Sequence, residues 1–304
     1  MKTGAYHYKY GDEAYWIGPW IYTNWTYSLA TGVWSPNPTL GSTLWDADAA
    51  VFTGVSTYAW APWGVNTISN VANALQITYV ADNRGAKVTF GTAADLSTDL
   101  STATWYVFQV DASVNVGTFN MRHRYFTGGF LSRANLANGT HKYAFCPTTT
   151  SNDSIETYPM GAGQVYTLDN LSLKALTTAH LFALRNFGRQ VGISANLTMT
   201  AGLPGGVEAR YSDVNNYVHC WHDGTNLHLD KVVGGTVTSL INTAAAYGAG
   251  RAIEIRWNGA NTAQAWYNGV QVGADQDVST VPAGNWAGLF GTDSTVQLSG
   301  ITWS

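Results

Sequence analysis

Between Val207 and Gly273 the chain alternates apolar and polar residues in six short runs, separated by Asp-Gly, Gly-Gly and Asn-Gly dipeptides. Such dipeptides accept φ > 0 at little cost and mark tight turns, so the segment predicts an antiparallel meander. A period of two also assigns faces. Leu227 and Leu229, with Ile253, Ile255 and Trp257, point toward a core, whereas His228, Asp230, Glu254 and Arg256 point the other way.

Of 304 residues only 11% are charged, while Gly (32), Tyr (17), Trp (13) and Phe (10) are plentiful. β-branched and aromatic residues suit pleated, half-buried surfaces, and this mixture predicts an all-β chain long enough for two cores. The net charge is −4 and no basic cluster exceeds Arg122-His123-Arg124. Nucleic acid is therefore not an expected partner. No run of 18 apolar residues occurs and the amino terminus lacks a signal-like apolar stretch, so no membrane insertion is expected. The protein is expected to stay in its cell, to leave by another route, or to be released by lysis. Cys146 and Cys220 fall in different strand-like regions and are expected to be reduced thiols.

In chain order, residues 1–45 hold eleven Tyr or Trp residues broken by Gly and Pro. This aromatic N-terminal arm, with Tyr15, Trp16, Trp20, Tyr22 and Trp25, either adds edge strands to the first sandwich or docks on a neighbouring subunit. Residues 46–176 contain further strand-like runs, NALQITYV, AKVTF, TWYVFQVDA, TFNMRHRYF, THKYAFC and QVYTLDNLSL, and predict a jelly-roll sandwich. Residues 177–304 form the second sandwich.

Two stretches resemble known families. YVHCWHDGTNLHLDKVVGGTVTSLI and EIRWNGANTAQAWYNGVQVG are similar to the concanavalin-like, laminin-G-type β-sandwich, a group rich in glycan-binding and adhesive modules. ISNVANALQITY and VYTLDNLSL resemble the opening and closing strands of carbohydrate-binding modules with a galactose-binding-like jelly roll. By that second resemblance a structural calcium is expected near Asp169, with Asp46 or Asp48 as further oxygen donors. Residues alone give Asp169 the alternative role of capping a turn.

Catalytic signatures are missing. The four glutamates, Glu13, Glu156, Glu208 and Glu254, stand singly, so no carboxylate pair for glycoside hydrolysis is evident. Glu254 reads instead as a cross-strand ion-pair partner of Arg210, Arg251 or Arg256. There is no Gly-x-Ser-x-Gly elbow and no phosphate-binding glycine loop. His219, Cys220, His222 and His228 are zinc-ligand types around one hairpin, but adjacent strand residues face opposite sides and cannot all converge. These read as surface histidines and a buried thiol.

Binding by aromatic and polar side chains remains. Sugar sites combine a Trp or Tyr ring with polar groups that fix orientation. If Val218 and Cys220 are core, then Tyr217, His219 and Trp221 form an exposed row, joined by Arg210, His228, Asp230, Arg256 and Trp266 of the same outward sense. The competing account has Trp221 and Trp266 fill the second layer of the sandwich or an interface with the first module. Trp60 and Trp63, in a Pro- and Gly-bearing loop, and Arg122 with Arg124 beside Tyr125, are further candidates. By resemblance the chain looks like a non-catalytic, adhesive accessory protein of a phage-like virion, a capsid decoration or tail appendage. Other virion subunits and glycans are the expected partners, and homo-oligomerisation and a virion-surface location are expected. A secreted, extracellular carbohydrate-binding pair and a self-assembling filament subunit are the alternatives.

Overall fold

A computed structural model describes residues 190–304 without a break. It also describes 2–4, 7–10, 13–16, 20–22, 25–28, 30–31, 33–36, 40–44, 51–52, 57–58, 60–81, 84–89, 100–102, 104–126, 129–147, 154–159, 161–176 and 182–187. All regular structure among these residues is β-strand. No helix among them is long and apolar enough to cross a membrane. The chain divides into two compact units, residues 40–176 and residues 1–39 together with 177–304.

The unit of residues 40–176 is built from two antiparallel sheets. One orders its strands Gly139–Phe145, Tyr106–Val114, Val165–Leu176, Ala74–Thr78 and Thr67–Val71, with Leu40–Thr43 also paired to Val165–Leu176. The other runs Gly129–Leu136, Phe119–Phe126, Ser154–Tyr158, Ala86–Thr89 and Ala61–Pro62. Inward residues of both sheets share one core: Leu75, Ile77, Phe108, Tyr143, Phe145 and Leu168 come from the first, and Val88, Phe119, Met121 and Ile155 from the second. Phe119 stacks on Tyr166 with ring centroids 4.5 Å apart. Alternation along the strands places Leu75 with Ile77, and Tyr143 with Phe145, on the inward face.

The second unit is also a sandwich. Its eight-stranded sheet orders Lys2–Gly4, Trp20–Tyr22, Phe182–Asn186, Trp286–Gly291, Gly205–Asp213, Asn216–His222, Asn226–Val233 and Thr236–Ala244. Its seven-stranded sheet orders Val270–Asp277, Thr262–Tyr267, Arg251–Trp257, Ile193–Thr198, Gln297–Trp303, Val33–Pro36 and Trp25–Ser28. Val207, Val218, Cys220, Leu227 and Leu229 from the first sheet meet Ile193, Leu197, Ile253, Ile255 and Leu298 from the second. The meander from Val207 to Gly273 therefore folds as its alternation predicts, but its strands divide between two sheets.

The arm departs from expectation. Trp20–Tyr22 pairs with Phe182–Asn186, and Val33–Pro36 meets Gln297–Trp303 at Trp34 and Leu298. These strands extend the carboxy-terminal sandwich, not the first one. Trp25 is buried in that sandwich's core. Tyr15 and Trp16 lie in a hairpin of His7–Tyr10 with Glu13–Trp16. The side chains of Tyr15, Trp16, Trp20 and Tyr22 lie outside what is described.

Arg210 is a further correction, since it is buried rather than part of an exposed row. The register of its strand shifts on both sides, and Arg210 takes a positive φ of 52°. A bulge of this kind re-aims a side chain. The guanidinium donates to the carbonyls of Val281 at 2.9 Å and Ala260 at 2.7 Å, and to Asn261 Oδ1 at 3.0 Å. It clamps loops rather than presenting a charge.

Candidate functional site

In the unit of residues 40–176, the outward face of the sheet containing Ser154–Tyr158 gathers charge and aromatic rings around Trp63. Ile155 points into the core, so Glu156 and Tyr158 take the opposite face. Cross-strand pairing puts Glu156 opposite Lys87 on one side and Arg122 on the other. Arg122 donates to Glu156 Oε2 through Nε at 3.0 Å and Nη2 at 2.8 Å, and the Tyr158 hydroxyl donates to the same oxygen at 2.9 Å. Ser154 Oγ reaches Oε1 at 3.3 Å, and Lys87 Nζ lies 4.0 Å from it. Glu156 is only 1% exposed, so its charge is covered by partners that fix the Arg122 fork in place.

Trp63 forms the wall of this site. Its amide donates to the Gly85 carbonyl at 2.8 Å, and the Gly85 amide donates to the Thr157 carbonyl at 2.8 Å, which ties the tryptophan loop to the sheet. A Cβ at Gly85 would overlap the Tyr166 hydroxyl and Thr157 Oγ1, so glycine is required there. The Trp63 and Tyr158 rings meet edge to face, 5.0 Å apart at 81°. Arg122 Cζ lies 4.6 Å from the Tyr158 ring centre and 5.8 Å from that of Trp63, while Arg84 Cζ lies 6.0 Å from Trp63. Both rings are half-buried. Among the described residues three cations, Lys87, Arg84 and Arg122, stand around one carboxylate, Glu156. Trp60, the other candidate in this loop, is buried in the core instead. The side chains of Arg124 and Tyr125 lie outside the described residues.

The row predicted to be exposed on the second unit is assembled but sealed. Tyr217, His219, Trp221, His228 and Asp230 do share one face of the eight-stranded sheet, opposite Val218 and Cys220, yet none is more than 5% exposed. Alternation specifies the side of a sheet, and both sides here are covered. Glu208, His219 and Asp230 line up across three neighbouring strands. His219 Nδ1 lies 3.8 Å from Glu208 Oε1, and its Nε2 lies 3.3 Å from Asp230 Oδ2, off the line of a good hydrogen bond. Asp230 Oδ2 accepts from Trp221 Nε1 at 2.7 Å, and Trp221 stacks on His228 with centroids 3.8 Å apart and planes at 4°. His228 Nε2 in turn lies 3.1 Å from Asp223 Oδ2.

Burial pushes the Glu208 carboxyl well above the usual range. Burial acts on Asp230 in the same direction, but His219, His228 and the Trp221 indole outweigh it and hold that carboxyl below its ordinary value. The histidines are thus buried rather than superficial. His222 points to the opposite face, with Nε2 2.9 Å from the Ala245 carbonyl. Burial lowers its pKa. Among the described residues no three His, Cys, Asp or Glu side chains converge as a metal site.

Arg256 and Trp266 are not neighbours of that row. They occupy the outward face of the seven-stranded sheet, so the predicted composite site is divided between opposite sides of the sandwich. Glu254 pairs there with Arg256 of its own strand, Nε to Oε2 at 2.7 Å, and not across strands.

In the first unit Asp169 lies within the strand Val165–Leu176, and its Oδ1 accepts from the amide of Asn170, whose φ is +50°, at 2.7 Å. Asp111 faces it across the strands, accepting from Thr140 Oγ1 at 2.5 Å and Asn170 Nδ2 at 2.8 Å. Asp46 and Asp48 lie outside the described residues.

No protein-family profile matches the sequence, and no curated protein matches it. Solved structures do show similarity. The carbohydrate-binding module CBM66 from Bacillus subtilis aligns with 44% of this chain and 86% of its own, at 12% identity and a TM-score of 0.36. The CBM22-1–CBM22-2 tandem from Paenibacillus barcinonensis Xyn10C aligns with 88% of this chain and 98% of its own, at 11% identity and a TM-score of 0.36. A xylan beta-1,4-xylosidase from Bacillus halodurans C-125 aligns with 41% of this chain and 30% of its own, at 14% identity and a TM-score of 0.32. At these scores and identities the similarities assign neither a family nor a ligand.

Proposed function

We propose that the protein recognises carbohydrate without transforming it, and that the Trp63 site carries this role. The observation behind the reading is the edge-to-face Trp63–Tyr158 pair standing over an Arg122 fork fixed by buried Glu156. An indole face accepts the C–H surface of a sugar ring, and cations held beside it donate to hydroxyl and ring oxygens. Because Arg122 and Glu156 hold each other, little side-chain freedom is lost on binding. The same pairing argues against hydrolysis. Glu156 already accepts from Arg122, Tyr158 and Ser154, and glycoside cleavage needs a second carboxylate across the scissile bond. Glu208 and Asp230, the acids that share a face elsewhere, are sealed from any substrate.

An adhesive subunit on a phage-like virion and a secreted carbohydrate-binding pair both use such a site. Screening the intact protein and its Trp63→Ala variant on a glycan array tests the reading. Binding to defined glycans that the variant loses supports it, and an array signal indifferent to Trp63 refutes it. Incubating any bound glycan with the protein must release no new reducing ends.

A further inference from the structure

The outward face of the seven-stranded sheet carries a continuous ladder of polar and aromatic side chains. Thr302 pairs with Ser194, Ser194 with Glu254, Glu254 with Trp266, and Trp266 with Gln271, so five strands contribute one rung each. At the usual strand spacing this ladder spans about 19 Å. Beside it lies an open groove of about 520 Å³, lined by Ser194, Glu254, Arg256, Trp257 and Thr302 among others.

Arg256 is the fixed point of the groove. Its Nε donates to Glu254 Oε2 at 2.7 Å, and its Cζ sits 3.9 Å from the Trp266 ring centre. The side chain is nevertheless 40% exposed. Among the described residues its Nη groups make no hydrogen bond to protein, and neither do the hydroxyls of Ser194 and Thr302. Trp266 is oriented a second time through Nε1, which donates to Gln264 Oε1 at 3.2 Å, and Gln264 Nε2 donates to Asp275 Oδ1 at 2.8 Å. Pre-ordered donors with open valences, a carboxylate acceptor and indole rings along an open groove match a polyhydroxylated chain.

Charge narrows the class. Glu254 compensates Arg256, and Asp275 adds a further negative charge on this face. A polyanion would meet no net attraction here, whereas neutral hydroxyls find both donors and acceptors.

We propose that this ladder is a second carbohydrate-binding site, separate from that at Trp63, and that it takes an extended segment of an uncharged polysaccharide. The inference rests on the reading of the protein as a glycan binder, but on different residues.

Affinity electrophoresis of the intact protein through gels containing mixed-linkage β-glucan, galactomannan, xyloglucan or alginate tests it. Arg256→Ala removes the guanidinium, and Ser194→Trp fills the groove beside Glu254 while keeping both charges of that ion pair. Circular dichroism verifies that each variant is folded. Both variants are expected to weaken retention by a neutral polysaccharide about tenfold, equivalent to about 1.4 kcal/mol. Trp63→Ala is expected to leave this ladder-dependent retention measurable. If both ladder variants migrate as the unaltered protein does while Trp63→Ala abolishes retention, the inference falls and the Trp63 reading stands. If only the ladder variants lose retention, the inference stands and the Trp63 reading falls. Retention by alginate alone, or by none of the four, overturns the inference.

Discussion

Replacing Glu208 with Gln should stabilise the protein at neutral pH and leave it unchanged in acid. Glu208 is 0% exposed, and neither of its carboxylate oxygens has a hydrogen-bond partner. The nearest imidazole nitrogen, His219 Nδ1 at 3.8 Å, is beyond hydrogen-bond reach. Burial therefore raises the carboxyl well above 4.5. A raised acid means that the native chain holds a proton which the unfolded chain releases. Stability then falls as pH rises from the unfolded value toward the folded one, by about 1.4 kcal/mol per pH unit for one proton. Gln keeps the shape and removes the titration. The difference between variant and parent should be near zero at the acid end of that window and widen at about that slope above it. Asp230 has the opposite sign, because its folded pKa is lowered, so stability lost below 3.8 persists in the variant. Urea unfolding followed by tryptophan fluorescence across this pH range measures the difference. Two parallel pH curves would refute the assignment of an uncompensated buried carboxyl.

Further expectations concern other parts of the molecule. Trp63→Ala should weaken glycan binding by about 1.5 kcal/mol, roughly tenfold, in calorimetric titration. Gly85→Ala should cost about 1–3 kcal/mol in thermal unfolding, because its Cβ would overlap Tyr166 and Thr157, and should weaken binding with it by displacing the Trp63 loop. Cys220 is fully buried, and burial, followed by the charges of Asp230 and Glu254, pushes its thiol well up. An aromatic disulfide reagent should therefore react with half-buried Cys146 in the native protein and reach Cys220 only after denaturation.

The period of two was enough to place Leu227, Leu229, Ile253 and Ile255 in a core and to put His228, Asp230, Glu254 and Arg256 on the other faces. It could not say that one outer face is covered and the other open, because that depends on what lies beyond the sheet. Nor could it separate two outer faces that point in opposite directions, and so it groups Arg256 and Trp266 with Trp221. The Trp63 site was legible only in part. Ser154–Tyr158 has a single strongly apolar residue, Ile155, so its alternation gives little strand signal, and Glu156 and Tyr158 went unrecognised. Lys87 and Arg84 become partners only through pairing and loop contacts distant in sequence. The arm was legible as packed rather than free, but its choice of sheet rests on register with Phe182–Asn186 and Gln297–Trp303. Trimming residues 1–45 would remove strands and the core side chain of Trp25, so it would report on folding as much as on assembly.

The central claim is that an open aromatic and cationic surface, not the sealed acids, meets the sugar. A crystal structure of the protein with an oligosaccharide that it binds measures this most directly. The account predicts an intact sugar ring against Trp63 and Tyr158, with hydroxyls within hydrogen-bond distance of Arg122 or Lys87. A cleaved sugar, or one lodged between Glu208 and Asp230, would contradict it.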